Sequence, residues 1–230
     1  MTITLITGGN KGLGFESARR LIELGHTVYI GARDAERGSK AAEELGARFV
    51  RLDVTDTDSI DAAAAEILRT EGRLDVLVNN AGITGAYKKP EDITAADIRQ
   101  TYETNVFGLV SVTHAFLPLL RRSEAPVIVN VSSGLGSFGT VTNPDRLESQ
   151  INALSYTSSK SAVTMLTIQY AKGLPDIRVN AVDPGATKTD LTGQGHQTVT
   201  EGTDAIVKMA TIGKDGPTGT FTDRSGVMPW

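Results

Sequence analysis

Residues 2–24 read TITLITGGNKGLGFESARRLIEL. An apolar run of strand length, Thr2–Thr7, passes into Gly8-Gly9-Asn10-Lys11-Gly12-Leu13-Gly14, and that turn opens a segment of helical period, Gly12–Leu24. Glycine lets the backbone turn tightly and come close to a bound group. A helix N-terminus offers unpaired amides to negative charge. Strand, glycine turn and helix in that order are the local design of a pyrophosphate cradle. The TGxxxGxG spacing is narrower than the GxGxxG of most dinucleotide-binding folds.

The pattern continues outward from this unit. Strands are expected at Thr27–Gly31, Arg48–Leu52, Val76–Asn79, Val127–Val131 and Arg178–Val182, with helices at Asp34–Leu45, Thr57–Arg69, Thr94–Leu120 and Ser155–Lys172. Continuous Val/Ile/Leu runs suit strands covered by helices on both faces. Regular alternation of strand and helix predicts an α/β fold, a Rossmann-type doubly wound parallel sheet. No repeat or boundary divides the chain, so residues 1–230 are expected to form a single domain. Two stretches break the alternation: the polar Gly134–Leu154, read as an insertion over about 136–152, and Thr189–Thr200. Both follow carboxyl ends of strands, where such a sheet places its ligand. With Ile83–Lys89, the segments Gly134–Leu154 and Leu191–Thr200 are the expected pocket walls.

Composition narrows the class. Apolar residues make up 40% and charged residues 22% of the chain, ordinary for a globular protein. A net charge of −4 gives no basic footprint for nucleic acid. With no cysteine there is neither a disulfide nor a thiolate zinc site. His26, His114 and His196 lack metal-ligand spacing, so no metal is expected. No export signal or membrane-spanning apolar stretch is present, which leads to the expectation of a cytoplasmic protein without a membrane partner. Asn130-Val131-Ser132 fits a glycosylation sequon but falls in a buried-strand pattern, and is read as coincidence.

The end of the second strand bears on the nucleotide. An Asp or Glu there would accept from a ribose 2′-hydroxyl and repel a 2′-phosphate. This chain has Gly31-Ala32-Arg33, with Lys11 in the glycine turn and Arg37 one helical turn later. Such cations suit a phosphate dianion, so NADP(H) is the expected cofactor. Further along, Tyr156-Thr157-Ser158-Ser159-Lys160 puts a phenol and an ammonium one turn apart on one helix face. A tyrosine's ordinary pKa of about 10 is high for proton exchange at neutral pH. The lysine is expected to draw it down.

These motifs have company. TGGNKGLG, Asn79-Asn80-Ala81-Gly82, Asn105, Ser132-Ser133, YTSSK and Pro184-Gly185 follow the order of the short-chain dehydrogenase/reductase family, which the chain resembles from Thr4 to about Asp190. The LDVLVNNAGI stretch, the Ala32-Arg33-Asp34 turn and the terminal Trp230 make it similar to carbonyl reductases within that family. The resemblance implies hydride transfer between NADPH and a small-molecule aldehyde, ketone or quinone. Tyr156 would donate the proton, Ser133 would orient the carbonyl oxygen, and Lys160 would bind the nicotinamide ribose and lower the Tyr156 pKa. Asn105 would hold a water linking Lys160 to solvent. The cofactor would lie against Gly8, Asn10, Lys11, Gly12, Leu13 and Gly14, with Arg33 and Arg37 at its phosphate and Asp53 and Val54 at its adenine. Asn80, Ala81 and Gly82 would line its cleft; Pro184, Gly185, Thr187 and Thr189 would meet the nicotinamide.

Family members commonly place the serine closer to the tyrosine than the 23 residues found here. Carbonyl reductases carry an insertion at this place that packs over a surface other members use to oligomerise. The expectation is therefore a monomer or homodimer in preference to a tetramer. Two other readings stay open: reduction of a 3-oxoacyl thioester on a carrier protein, and NADP(H) sensing without chemistry. The first would want a basic patch, for which Lys188 alone is thin support; the second typically loses the Tyr or Lys, both present here.

Overall fold

The computed structural model describes residues 1–190, 192–193 and 195–230. Leu191 and Gln194, both within the expected wall Leu191–Thr200, lie outside the described residues. Seven parallel strands are found among those described, in the order β3-β2-β1-β4-β5-β6-β7. They are β1 (Ile3–Thr7), β2 (Thr27–Ala32), β3 (Arg48–Arg51), β4 (Val76–Asn79), β5 (Val127–Val131), β6 (Arg178–Val182) and β7 (Phe221–Thr222). Strands β1, β4 and β5 are buried at every position, which explains why Val, Ile and Leu dominate them on both faces.

Two helical layers cover the sheet. On one face α3 (Thr57–Glu71), α5 (Gly108–Leu120) and the end of α7 (Leu154–Gly173) enclose Leu5, Leu77, Phe116, Ile128 and Val179. On the other, α1 (Gly12–Glu23), α2 (Ala35–Leu45) and α9 (Asp204–Ala210) enclose Ile6, Leu21, Ile30, Val129 and Ile206. Successive strands are added outward on one side from β1 to β3 and on the other side from β4 onward, so the crevice at the carboxyl ends of β1 and β4 is a topological switch point. Capping fixes the helix ends: Asp34 accepts from the Arg37 amide to start α2, and Gly46 ends it at a φ of 66°.

Three departures from the sequence expectations have local causes. The expected helix Thr94–Leu120 is interrupted: α4 (Ala95–Tyr102) passes through a widened π turn at Glu103–Phe107 before α5. That turn puts Asn105 inside the protein, where it hydrogen-bonds to the backbone of Ile83. The insertion is not an unstructured loop. It holds a 3-10 turn at Gly134–Gly136, the short helix α6 (Phe138–Val141) and another 3-10 turn at Leu147–Gln150. Finally, β7, α8 (Val199–Gly202) and α9 were not expected, because none is long enough to display a period. Asn130 of the sequon is fully buried and bonded to Asn79 and Thr167, so it offers no acceptor for a glycan. No helix among the described residues is long and apolar enough to cross a membrane.

Candidate active site

A cleft of about 740 Å³ runs along the carboxyl ends of the strands. At one end lies the glycine turn. Gly8 and Gly12 have φ of 64° and 55°, a region that side chains rarely enter. Gly14 is required for a different reason: a Cβ there would stand 2.5 Å from the Gly8 carbonyl and 2.6 Å from Asn80 Nδ2. Asn80 Nδ2 donates to the carbonyls of Thr7 (2.9 Å) and Gly8 (3.2 Å), locking the turn against β4. The Thr7 hydroxyl accepts from the amides of Asn80 and Ala81, both at 3.0 Å. The turn leads into α1 with no side-chain cap and no acidic residue in the first turn. An anion at that N-terminus would meet open amides and no opposing carboxylate.

Gly8, Asn10, Lys11, Gly12, Leu13, Arg33, Asp53, Val54, Asn80, Ala81, Gly82, Pro184, Gly185, Thr187 and Thr189 all line the cleft, as does the expected pair Tyr156 and Lys160. Gly14 sits one layer behind, in the close approach just described. Arg37 is not part of the lining: its Nε donates to Asp34 Oδ2 at 2.8 Å. That contact has a useful consequence. It turns the acid of the Ala32-Arg33-Asp34 segment into the cap of α2 and pairs it with a cation, while Arg33 stays exposed at the cleft. Lys11 reaches across the mouth to Asp190, Nζ to Oδ2 3.3 Å, in an ion pair exposed on both sides.

At the other end stand the titratable groups. Lys160 is buried, and its Nζ donates to the Val131 carbonyl at 2.8 Å while lying 5.6 Å from the centre of the Tyr156 ring. An ammonium has three donors, so two remain for partners in the cleft. Burial brings the Lys160 pKa down to about 8, opposed by the negative charge of Asp183. Tyr156 departs from expectation. Its pKa is pushed up to about 12, first by burial and then by Asp183, against a hydrogen bond with Ser133 that lowers it. Removal from water outweighs that hydrogen bond, so the phenol is held protonated.

The two serines part company. Ser132 is buried, and its hydroxyl donates to the Lys160 carbonyl at 3.1 Å, bracing α7. Ser133 is partly open to the cleft, and its Oγ accepts from the Leu135 amide at 3.2 Å. Asn105 does not line the cleft. Its Oδ1 accepts from Ile83 N (2.8 Å), and its Nδ2 donates to Ile83 O (2.9 Å) and Ser159 Oγ (3.0 Å). Gly82 separates Asn105 from the lysine: a Cβ there would stand 3.3 Å from Asn105 Oδ1 and 3.7 Å from Lys160 Nζ. Sequence reasoning passed over Asp183, a buried acid in the cleft wall. A charged residue closing the apolar run Arg178–Val182 was the signal for it. No cluster of metal-ligating residues occurs among those described.

A doubly wound sheet with an anion cradle at its switch point, and a half-buried Tyr156 beside a buried Lys160 beyond it, defines a nucleotide-dependent enzyme of the α/β class. Residues 2–200 match the family model for short chain dehydrogenases. Salutaridine reductase from Papaver bracteatum is 33% identical, the match covering 98% of this chain and 95% of that protein. (+)-Neomenthol dehydrogenase from Arabidopsis thaliana is also 33% identical, over 97% of this chain and 96% of that one. The NADPH-bound carbonyl reductase from chicken fatty liver superposes with a TM-score of 0.87 at 31% identity, covering 100% of both chains. This chain belongs to the short-chain dehydrogenase/reductase family of oxidoreductases. The alignment with the Papaver enzyme runs over 297 positions against a chain of 230 residues, so that relative carries segments this chain lacks.

Proposed function

We propose that the protein is an NADPH-dependent carbonyl reductase that converts an aldehyde, ketone or quinone to the alcohol, with Tyr156 as proton donor. The observation that carries this reading is the pairing of a protonated phenol beside a buried lysine with an open, glycine-lined helix N-terminus in one cleft. The residues fit a phosphorylated dinucleotide. Gly8 and Gly12 let its pyrophosphate approach the amides of α1, and Gly14 lets the turn pack against that helix. Arg33 and Lys11 offer charge to a 2′-phosphate, and Asp34, tied to Arg37, does not oppose it. Lys11 would exchange Asp190 for the phosphate. When bound, NADPH supplies the hydride.

The chain's own groups supply the rest. Ser133 donates to the carbonyl oxygen and holds it beside the Tyr156 hydroxyl. Tyr156 would give its proton to the carbonyl oxygen as the carbonyl is reduced, completing the alcohol. A phenol held protonated by burial is loaded for donation in this direction. The phenolate left behind faces the Lys160 ammonium, whose charge stabilises it until a proton returns. The two remaining Lys160 donors would hold the nicotinamide ribose. Asn105 stands behind Gly82 and would hold a water on the proton-return route. Asp53 and Val54 would flank the adenine, and Pro184 to Thr189 the nicotinamide.

A screen of NADPH oxidation across aldehydes, α-keto esters, quinones and 3-oxoacyl thioesters tests the reading. Turnover of simple carbonyls is expected. NADPH binding with no oxidation by any of them would overturn it in favour of a sensing role, and exclusive use of thioesters would move it to a carrier-linked reductase.

A further inference from the structure

The site contains one buried ionisable group with no part in the steps above. Asp183 follows β6 directly and is 7% exposed. Its Oδ1 accepts from the Gly185 amide at 2.9 Å, and the Gly134 amide also bonds to its carboxylate. Gly134 is the residue after Ser133. A Cβ at Gly134 would stand 2.9 Å from Asp183 Oδ2 and 3.0 Å from Glu148 Oε1, so only glycine lets the backbone come this near. One carboxylate therefore joins the strand end that carries Ser133 to the loop that carries Gly185.

We propose that Asp183 is a positioning residue of the reaction, its carboxylate fixing where Ser133 stands relative to the loop at Gly185. The inference rests on the roles given above to Ser133 and Tyr156. Preorganised geometry of this kind sets reaction rate while leaving substrate binding nearly unchanged. The same charge acts on the proton donor: it favours the protonated forms of both Tyr156 and Lys160. Those are the forms that donation requires.

The charged and titratable groups facing Asp183 are Tyr156 and Lys160 from α7, Glu148 from the inserted 3-10 turn, and Asp223 beyond β7. Burial raises the Asp183 pKa most, the two amides lower it, and Glu148 and Asp223 raise it further. Protonation in mild acid takes away acceptor capacity where two amides need it. The brace then slackens at a pH where ordinary carboxylates are still ionised.

The test compares kcat against pH for the wild type, Asp183→Asn and Glu148→Gln. The wild type should lose kcat on the acid side, above the ordinary carboxylate range. Asp183→Asn should lower neutral-pH kcat by about tenfold to a hundredfold with little change in KM, and its acid limb should vanish. Glu148→Gln should leave neutral-pH kcat unchanged and move the limb to lower pH. A second readout needs neither cofactor nor turnover: the thermal midpoint of the free protein against pH. A carboxyl whose folded pKa is raised contributes stability that is present in acid and lost as pH rises through that pKa. The wild-type midpoint should therefore fall, relative to Asp183→Asn, as pH rises above the ordinary carboxylate range. A pH-independent difference, or an acid limb unmoved in both variants, would overturn the inference. If Asp183→Asn does not fold, the Glu148→Gln limb decides alone. Failure of the wild type to reduce any carbonyl counts against the proposed function, whereas the thermal comparison tests Asp183 in either case.

Discussion

The two ends of the cleft are built from different materials. At the β1–β3 end the working groups are backbone amides and exposed cations: open glycines, an uncapped helix, and Arg33 and Lys11 in water. At the β5–β7 end they are side chains taken out of water, Lys160 and Asp183 almost wholly, with proton affinities moved by burial. Backbone and solvated charge hold an anion without paying for desolvation, but they tune no acid. Buried side chains can tune an acid, and their neighbours decide in which direction. Changes at the first end should therefore alter affinity, and changes at the second should alter turnover and its pH dependence.

Lys160→Ala is the harshest way to break this division, because the lysine is assigned both cofactor binding and proton transfer. Turnover should fall by roughly a hundredfold to ten-thousandfold, the range for a disabled proton-transfer site, and NADPH should bind more weakly. Stopped-flow oxidation and a binding titration read the two effects separately. Calorimetry of the free protein adds a signature. A lysine whose folded pKa lies near 8, below its unfolded value, costs stability while charged, so the wild type should gain stability as pH rises through 8. The variant should not.

The serine pair sharpens the comparison within one end. Ser133→Ala should lower kcat and leave cofactor affinity alone, because Ser133 opens on the cleft beside Tyr156. Ser132→Ala removes only a bond to the Lys160 carbonyl and should have a mild effect. Equal losses in steady-state rates would contradict the placement of the two hydroxyls.

Arg33→Asp probes the opposite end. Loss of one charge-assisted hydrogen bond, worth roughly 1.5–3 kcal/mol, should weaken NADPH by about tenfold to a hundredfold. NADH affinity should change far less, and kcat at saturating cofactor should hold. Arg37→Ala is a control with a smaller effect, since that guanidinium serves Asp34. Equal loss of NADH and NADPH in parallel titrations would break the assignment.

The smallest effect concerns the insertion. It lies against the outer face of α7 at Thr157, Ser158 and Ser161, leaving a groove of about 520 Å³ between them. With that face partly covered, light scattering at micromolar concentration should find a monomer or a homodimer. A stable tetramer would show that the insert leaves the face available.

The same contrast explains what could be read without coordinates. The glycine turn was legible because its requirements are local: positive φ at Gly8 and Gly12, and close approach at Gly14. Most of the six expected strands were legible because burial on both faces favours Val, Ile and Leu; β3, exposed at both of its arginines, was legible from its place in the strand–helix alternation. The two-residue β7 and the short α8 and α9 were not, since neither length holds a period. The Tyr156–Lys160 pair was visible as a spacing, but the direction of the Tyr156 shift was not. That direction depends on burial and on Asp183, which reach the phenol only through the folded chain. Arg37 looked like a second phosphate ligand because sequence places it one turn from Arg33 and says nothing of which way Asp34 turns.

The most direct test of the central claim is Tyr156→Phe, which removes one hydroxyl and keeps the ring. Single-turnover NADPH oxidation with a good carbonyl substrate should slow by roughly a hundredfold to ten-thousandfold. NADPH affinity and thermal midpoint, measured on the same preparation, should stay close to wild type. A variant that keeps most of the wild-type rate would contradict the assignment of Tyr156 as proton donor.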